Sequence, residues 1–337
     1  MLSIEAPAKL NLTLAVNGRR PDGYHLIESV MQAIDLADRL ELSPAAGGTV
    51  IRCDGPGVPT DDTNLAARAV QALRAAAPPE RGPLGGVAIR IHKRIPVAAG
   101  LGGGSANAAA ALIGANALWG LGLDRAALAR IAVQLGADVP FCLYGGTAIA
   151  RGIGEELEPV RGAAPLAGVI VNPGFPVSTA HVYRRYDELH GAAASSQNGA
   201  AGPRFRPDGI GRAAAMADAL VRGDVEAVAA LLYNDLQPAA ESLYPEIAAL
   251  RREVLAAGAA GAVLCGSGPS VFGLAVDEDH ARQLAAALAG KAPFVAVCRF
   301  RPDGCRVSEA PPAASCVRAA PGEGGVSDAR TIDAHQA

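Results

Sequence analysis

The sequence predicts an α+β fold in which strands and helices alternate along a chain of 337 residues. Stretches that alternate between apolar and polar side chains, as half-buried strands do, are interleaved with stretches whose apolar residues recur at helical spacing. A glycine-rich loop joins a predicted strand at residues 86–92 to an alanine-rich helical segment at residues 108–118. Apolar residues make up 50% of the chain and charged residues 19%, so one large core or two of ordinary size can be buried. We therefore predict an α+β sandwich.

The composition and charge of the chain limit the classes of function that it can have. The formal net charge is −3, so no overall positive field attracts nucleic acid or an anionic membrane, and any phosphate site must be local. The six cysteines form no CxxC pair, which indicates reduced thiols and neither a disulfide framework nor a zinc site. A strand pattern begins almost at Met1, and no apolar run reaches the roughly 18 residues that span a bilayer. We expect a cytoplasmic protein.

The first predicted strand, residues 4–16, has apolar side chains at every even position. Lys9, Asn11 and Thr13 project from the other face. One interpretation of Lys9 is a solvated charge that protects an edge strand from aggregation. The other is a cation that, with an amide beside it, points into a cleft.

A turn cluster at residues 17–23 leads directly to Tyr24 and His25. These two side chains either cover the sheet as half-buried aromatic residues or stack on and hydrogen-bond a planar ligand. The next strand pattern, residues 30–42, contains two aspartates at residues 35 and 38, and we predict a turn at 35–38.

Two helices flank the glycine-rich loop in sequence. The first is predicted from about residue 63 to residue 77, with Asp61, Asp62 or Thr63 as its cap. After the loop and its helix, Asp124 is predicted to cap another helix, and Gly136 is predicted to end it in the left-handed conformation.

The loop at residues 95–107 carries four glycines within five residues. Without side chains, its backbone N–H groups can converge on one concavity, and the start of the following helix adds a positive dipole end. A flexible or tightly packed turn is the alternative, but the strand before it and the helix after it favour phosphate binding. The loop matches neither a Walker motif nor a dinucleotide fingerprint, because Gly104 is followed by Ser105 and no lysine.

Asp138 precedes a proline near the start of a predicted short helix. The residue either only caps this helix or supplies a carboxylate for chemistry.

A composition shift near residues 155–165 divides the chain into two predicted domains, residues 1–158 and 159–307. In the second domain, strands are predicted at residues 166–172, 261–265, 271–276 and 294–300, and helices from about 178 and at 211–222, 224–233, 244–257 and 279–289. A flexible loop is predicted at residues 191–209, and residues 308–337 lack periodicity and are predicted to be a disordered tail.

Three separated blocks resemble motifs of the GHMP-type small-molecule kinases, a superfamily that includes galactokinase, homoserine kinase and mevalonate kinase. The blocks are Ala-Pro-Ala-Lys-Leu-Asn-Leu at residues 6–12, the glycine loop at 96–105 and Gly-Ser-Gly-Pro-Ser at 266–270. Within the superfamily, Arg-Pro-Asp-Gly-Tyr-His at residues 20–25 and Leu-Gly-Ala-Asp-Val-Pro-Phe at residues 135–141 resemble one subfamily. Its members phosphorylate 4-(cytidine 5'-diphospho)-2-C-methyl-D-erythritol in non-mevalonate isoprenoid precursor biosynthesis.

The resemblance covers about residues 1–300 and implies a two-domain GHMP kinase fold. Its N-terminal half would be like the second domain of ribosomal protein S5, and its C-terminal half would be ferredoxin-like. The sequence departs from the family at Ala106, where a second serine is common. This departure puts one hydroxyl contact to phosphate or metal in doubt.

The resemblance also implies the reaction and the residues that carry it. ATP with Mg²⁺ would phosphorylate the 2-hydroxyl of the acceptor, with Asp138 as the general base, Lys9 beside it and Ser105 as a candidate metal ligand. The implied ATP-binding residues are Asn64, Lys93, Pro96, Gly100, Leu101, Gly102, Gly103, Gly104, Ser105 and Asn107, with Asn64 and Lys93 on the adenine side. The implied acceptor-binding residues are Asn11, Tyr24, His25, Asp138, Thr179 and Tyr183, with cytosine between the two tyrosines and His25 at its edge. Gly266, Ser267 and Gly268 would support the phosphate loop.

Three rival functions fit the sequence less well. Another kinase of the superfamily would act on mevalonate, homoserine or a sugar, but such acceptors give Tyr24 and His25 no planar base to contact. A catalytically dead regulator would have lost Lys9, Ser105 or Asp138, and all three are present. A nucleic-acid-binding module conflicts with the negative net charge and the dispersed basic residues. The expected partner is therefore a small molecule, with no nucleic acid or membrane, and the protein is expected to be a monomer or homodimer.

Overall fold

The computed structural model describes residues 1–191 and 211–307 of the chain. The predicted tail at 308–337 and nearly all of the loop predicted at 191–209 lie outside the described residues. The strands are β1 (Leu2–Arg19), β2 (His25–Ala45), β3 (Thr49–Cys53), β4 (Gly86–His92), β5 (Thr147–Arg151), β6 (Glu156–Pro159), β7 (Ala167–Asn172), β8 (Tyr233–Asn234), β9 (Gly261–Leu264), β10 (Val271–Leu274), β11 (Phe294–Arg299) and β12 (Arg306–Val307). The helices are α1 (Leu65–Ala76), α2 (Gly103–Leu118), α3 (Arg125–Ala132), α4 (Val139–Tyr144), α5 (Thr179–Gly191), α6 (Arg212–Arg222), α7 (Val225–Leu231), α8 (Gln237–Leu243), α9 (Pro245–Ala256) and α10 (Glu278–Leu288).

Two sheets and the helices packed on them form the α+β architecture that the sequence predicts. The first sheet has the strand order β12-β1-β2-β4-β3, and its long central hairpin β1–β2 also pairs with β8 and β5. The second sheet is antiparallel with the order β11-β7-β10-β9. Because β8 and β12 come from the second half of the sequence and pair with β1, both halves of the chain contribute to the first sheet.

Apolar side chains fill the spaces between these layers. Helices α1 to α4 cover one face of the first sheet around Leu42, Leu73 and Leu112. The other face packs against α6 and the second sheet, where Leu10 and Phe272 lie in one cluster. A cleft opens where these two layers meet the glycine loop.

The strand β1 is buried on both faces, and its register shifts between Pro7 and Lys9 and again between Asn11 and Thr13. Such β-bulges turn side chains away from simple alternation. Lys9 lies between the two bulges, is only 5% exposed and sits on a strand paired on both sides. The interpretation of Lys9 as a solvated edge-strand charge is therefore wrong.

Other local predictions also need correction. The turn predicted at residues 35–38 does not exist, because β2 runs through it without a break. The N-cap of α1 is Asn64, and the predicted caps Asp61, Asp62 and Thr63 do not occupy that position. Asp124 caps α3 as predicted, but α3 ends at Ala132 and Gly136 is not in the left-handed conformation. The helix α8 carried no clear signal in the sequence, since its seven residues are too few to show a helical period.

Among the described residues, the structure contains no helix with the length and apolar character needed to cross a bilayer.

Candidate active site

A cleft of ≈ 1370 Å³ runs beside the glycine loop, between the β1–β2 hairpin on one side and α5 on the other. Most of the residues implicated by the sequence line it: Lys9, Asn11, Tyr24, His25, Asn64, Lys93, Pro96, Gly100, Gly102, Gly103, Gly104, Ser105, Asn107, Asp138, Thr179, Tyr183, Gly266 and Ser267. The structure therefore brings together residues from both halves of the sequence.

The glycine loop ends at the first turn of α2. Its backbone is left-handed at Ala98, Gly100 and Gly102, with φ values of 50°, 76° and 69°. Alternation of this kind turns successive N–H groups toward one side. Gly102 is the N-cap of α2 and has no side chain to satisfy the first N–H groups of the helix, so they remain available to an anion. The helix begins at Gly103, earlier than the alanine run suggests.

The loop is held in place by backbone packed against backbone. A Cβ atom on Gly100 would lie 1.9 Å from the carbonyl oxygen of Cys265, and one on Gly266 would lie 3.0 Å from the carbonyl oxygen of Gly100. The Lys9 N–H donates to the Leu101 carbonyl at 3.0 Å, which ties the loop to β1. Only a residue without a side chain fits at Gly100, because of both its positive φ and this contact.

Lys9 and Asp138 meet at this end of the cleft. The Lys9 ammonium lies 3.2 Å from the Asp138 carboxylate and donates to the Asn11 side-chain oxygen at 2.7 Å. Asp138 occupies the N-cap position of α4, but its side chain makes no capping hydrogen bond there. Its side chain is 30% exposed, so the carboxylate is accessible from the cleft while one oxygen faces the lysine.

A carboxylate that the sequence analysis missed lies beneath the loop. Asp38, which is fully buried on β2, accepts hydrogen bonds from the Lys93 ammonium at 2.5 Å and from the Asn107 amide at 2.8 Å. Its other oxygen accepts from the backbone N–H groups of Arg94 and Ile95 at 2.8 and 2.9 Å. Asp38 thus links β2, the start of the loop and α2. The sequence did contain a signal for this, namely a charged residue inside an otherwise apolar strand pattern. A buried carboxylate with hydrogen-bond partners accounts for that pattern better than a turn does.

Asn64 and Lys93, the residues expected on the adenine side, line the cleft and already make hydrogen bonds within the protein. The Asn64 side chain accepts from the Ala66 N–H at 2.8 Å and donates to the Pro59 carbonyl at 2.6 Å. Lys93 is paired with Asp38, and its ammonium lies 2.9 Å from the position of a Cβ on Gly103. Each group keeps further donors, since the Asn64 amide has a second N–H and the Lys93 ammonium has two more.

Aromatic residues line the other end of the cleft. Tyr24 is 60% exposed, and His25 stacks on Tyr183 with a centroid distance of 4.6 Å and an interplanar angle of 23°. The His25 Nε2 atom lies 2.7 Å from the carboxylate of Asp187, a second residue that the sequence analysis missed. The interpretation of His25 as a mere cover for the sheet does not account for this polar partner.

Asn11, Thr179 and Ser267 supply polar groups between the two ends. The Asn11 amide donates to the Ser29 hydroxyl at 2.8 Å, which leaves its oxygen to Lys9. The hydroxyls of Thr179 and Ser267 are 2.8 Å apart, so α5 and the loop at residues 266–270 are linked beside the phosphate loop.

Three residues from the resembling motifs do not line the cleft. Leu101 is buried in the core and takes part through its backbone alone, and Gly268 faces Leu264 and Ile247. Ala106 is fully buried within the cluster between α2 and its neighbours. A serine at that position would lie in the same cluster.

Burial keeps two groups near the lysine–aspartate pair neutral. It raises the pKa of the Cys265 thiol to about 12, even though Lys9 nearby acts in the opposite direction. Burial, assisted by the charge of Asp138, also raises the pKa of the Tyr183 hydroxyl well above its usual range. Neither group can serve as a base near neutral pH.

Within residues 1–191 and 211–307, no three histidine, cysteine, aspartate or glutamate side chains are grouped so as to hold a metal ion.

Comparison with known proteins identifies relatives of the whole described architecture. The GHMP kinases N terminal domain model matches residues 64–146, and the GHMP kinases C terminal model matches residues 216–293. A protein of Pelotomaculum thermopropionicum named 4-diphosphocytidyl-2-C-methyl-D-erythritol kinase is 49% identical over 83% of this chain and 91% of its own length. A protein of Moorella thermoacetica with the same name is 46% identical over 89% of this chain and 99% of its own.

Solved structures of kinases are also similar to this chain. A crystal structure of 4-(cytidine 5'-diphospho)-2C-methyl-D-erythritol kinase superimposes with a TM-score of 0.72 at 37% identity, covering 89% of this chain and 99% of the other. A homoserine kinase of Cytophaga hutchinsonii superimposes with a TM-score of 0.70 at 21% identity, covering 91% and 97% of the two chains. The second similarity supports the fold alone.

Proposed function

The chain belongs to the GHMP kinases and, within them, to the 4-diphosphocytidyl-2-C-methyl-D-erythritol kinases, and from this premise we propose how its cleft performs the reaction. The enzyme phosphorylates 4-(cytidine 5'-diphospho)-2-C-methyl-D-erythritol and uses ATP as the phosphoryl donor. In our proposal the 2-hydroxyl of the acceptor is the nucleophile.

The proposed mechanism rests on the ion pair between Lys9 and Asp138. These side chains come from β1 and the start of α4, and they lie 3.2 Å apart in the cleft that the glycine loop also lines. A carboxylate without a capping role, held by one ammonium and open to the cleft, is suited to accept a proton.

The transfer requires one proton acceptor. As the acceptor oxygen attacks the γ-phosphorus atom, an oxygen–phosphorus bond forms and the bond from that phosphorus to ADP breaks. The hydroxyl proton moves to the Asp138 carboxylate, while the positive charge of Lys9 lies close to the charge that develops on the transferred group. General-base assistance is typically worth about 10²–10⁴ in rate, so the positioning of the two ligands must supply much of the remainder.

The donor phosphates would be bound by backbone N–H groups of the loop and by the N-terminus of α2. The open N–H groups at Gly102 and the following turn, together with the helix dipole, favour a polyanion. Mg²⁺ would neutralise charge on the β- and γ-phosphates. The Ser105 hydroxyl, which lines the cleft in the first turn of α2, would be the protein ligand, and phosphate oxygens and water would complete the shell, as is common for this ion.

The acceptor would lie along Asn11 and Thr179, with its base at the aromatic end of the cleft. Stacking of a base on an aromatic side chain contributes on the order of 1–3 kcal/mol per contact. Tyr24 and Tyr183 can therefore favour an acceptor that carries a nucleobase over a plain alcohol. The division into domains at residue 158, the cytoplasmic location and the monomeric or homodimeric state stay predictions.

The test is an assay of ADP release across a panel of acceptors that contains the cytidylyl-linked methylerythritol, mevalonate, homoserine and galactose. We expect release above the acceptor-free background only with the cytidylyl compound, and phosphorus NMR of its product should place the new phosphate on the 2-hydroxyl. Faster release with mevalonate or homoserine would overturn the acceptor assignment.

A further inference from the structure

A chain of hydrogen bonds runs from the Lys9 ammonium into the interior of the β1–β2 hairpin. The ammonium donates to the Asn11 side-chain oxygen at 2.7 Å, and the Asn11 amide donates to the Ser29 hydroxyl at 2.8 Å. The Ser29 hydroxyl donates in turn to the Thr13 carbonyl at 2.6 Å. Ser29 is 0% exposed and does not line the cleft, so any effect that it has on the reaction must pass through Asn11.

The register of the hairpin holds Ser29 in this position. Asn11 lies opposite Met31 of β2, and Ser29 is two residues from Met31 on the same face, which makes it the diagonal neighbour of Asn11. The backbone of Ser29 pairs with Leu14 on one side and with Ala150 of β5 on the other. Ser29 is therefore a fixed point in the middle of the sheet.

The donors and acceptors of this chain allow one arrangement. A backbone carbonyl only accepts, so the single hydroxyl proton of Ser29 goes to Thr13, and the Ser29 oxygen must accept from the Asn11 nitrogen. The Asn11 oxygen then faces Lys9, whose ammonium only donates. A rotated Asn11 amide would place its NH₂ group against the ammonium, donor against donor.

The rest of Lys9 is held independently of this chain. Its N–H donates to the Leu101 carbonyl, and its aliphatic stem packs on the glycine loop, where a Cβ on Gly102 would lie 2.9 Å from Lys9 Cγ. The direction of the ammonium therefore depends on its terminal contacts, which are Asn11 and Asp138. These two contacts leave one N–H of the ammonium for a phosphate oxygen.

We infer that Ser29 is a positioning residue for phosphoryl transfer, which acts through the Asn11 amide on the Lys9 ammonium. The inference rests on the proposed function, in which Lys9 lies close to the charge that develops on the transferred group. Ser29 fixes which end of the Asn11 amide faces the ammonium. Without its hydroxyl, the amide loses the contact that keeps its oxygen toward Lys9.

The test is single-turnover kinetics of Ser29→Ala with ATP and the cytidylyl-linked methylerythritol. We expect the rate of transfer to fall about 10- to 100-fold, the scale of a small misplacement of a catalytic group. The KM for ATP should stay unchanged, because the glycine loop keeps its own contacts. An unchanged rate of transfer would overturn the inference.

Thr13→Val is the matched control for a merely structural role. It also removes a buried hydroxyl of the hairpin that bonds to backbone, since Thr13 Oγ1 accepts from the Val30 N–H at 2.9 Å, but it leaves the Thr13 carbonyl in place. Denaturant titration should show a loss of stability in both variants. Only Ser29→Ala should slow the transfer, and an equal slowing in Thr13→Val would overturn the inference.

A double-mutant cycle tests the route through Asn11. In an Asn11→Ala background there is no amide to orient, so adding Ser29→Ala should lower the rate of transfer no further. A full additional loss in the double variant would overturn the inference. Failure of the unaltered enzyme to phosphorylate the cytidylyl acceptor would overturn the proposed function instead.

Discussion

In the proposed function, the donor end of the cleft is built from backbone, and the acceptor end is built from side chains. At the donor end, N–H groups of a glycine loop face the cleft, and the loop packs directly on the backbone of Cys265. At the acceptor end, Tyr24, His25 and Tyr183 project from a hairpin and a helix that are far apart in sequence. Every nucleotide carries the same phosphates, so rigid amides suffice for them, whereas a particular base requires particular side chains.

The comparison predicts different outcomes for substitutions at the two ends. Changes to buried groups that hold the donor end should affect folding together with ATP use. Changes to cleft side chains should affect turnover or acceptor binding more than folding. The three substitutions below test this difference, in order of decreasing expected effect.

Asp138→Asn should have the largest effect, a fall in kcat of about 10²–10⁴, because it removes the proton acceptor. The melting temperature should fall less than in Asp38→Asn, since Asp138 caps no helix N–H group and its carboxylate, which pairs with the buried Lys9, is itself 30% exposed. Single-turnover kinetics and thermal unfolding measure the two quantities. Asp124→Ala is the matched control: its carboxylate does cap α3, so it should cost about 1 kcal/mol of stability without slowing turnover. Normal turnover in Asp138→Asn would refute the general-base role.

Asp38→Asn should lower the free energy of unfolding by about 3–5 kcal/mol, because the buried Lys93 ammonium loses its counter-charge. Denaturant titration measures this loss, and the KM for ATP should rise because the loop start and Asn107 lose their common anchor. Asp35→Asn, which alters a less buried carboxylate on the same strand, is the control and should cost less. Equal losses for the two variants would contradict a special role for Asp38 at the donor end.

Tyr24→Ala should have the smallest effect of the three. Loss of one stacking contact, on the order of 1–3 kcal/mol, raises the KM for the cytidylyl acceptor about 5- to 150-fold. Because Tyr24 is 60% exposed, stability and the KM for ATP should stay as they are. Tyr144→Ala, which removes another exposed tyrosine that does not line this cleft, should leave both KM values unchanged. A rise in the KM for ATP alone would place Tyr24 at the donor end and undo the comparison.

Predictions from sequence succeeded where the signal was local. The strand at residues 86–92 and the cap at Asp124 were confirmed, because a run of alternating residues or a capping aspartate acts on its immediate neighbours. The fold class and the family were confirmed as well. Predictions failed where tertiary packing overrides local preference. Asp35 and Asp38 suggested a turn, but pairing with β1 and β4 keeps β2 extended through them.

The sequence by itself determined the glycine loop and the family, because contiguous glycines followed by a helix start leave free backbone N–H groups that depend on no distant residue. Only the tertiary structure decided that Lys9 meets Asp138, that Asp38 is buried beneath the loop and that Asp187 binds His25. Each of these contacts joins side chains from distant parts of the chain. Their distances depend on the three bulges in β1, on strand register and on the packing of α5 against the hairpin, which no local pattern of residues specifies.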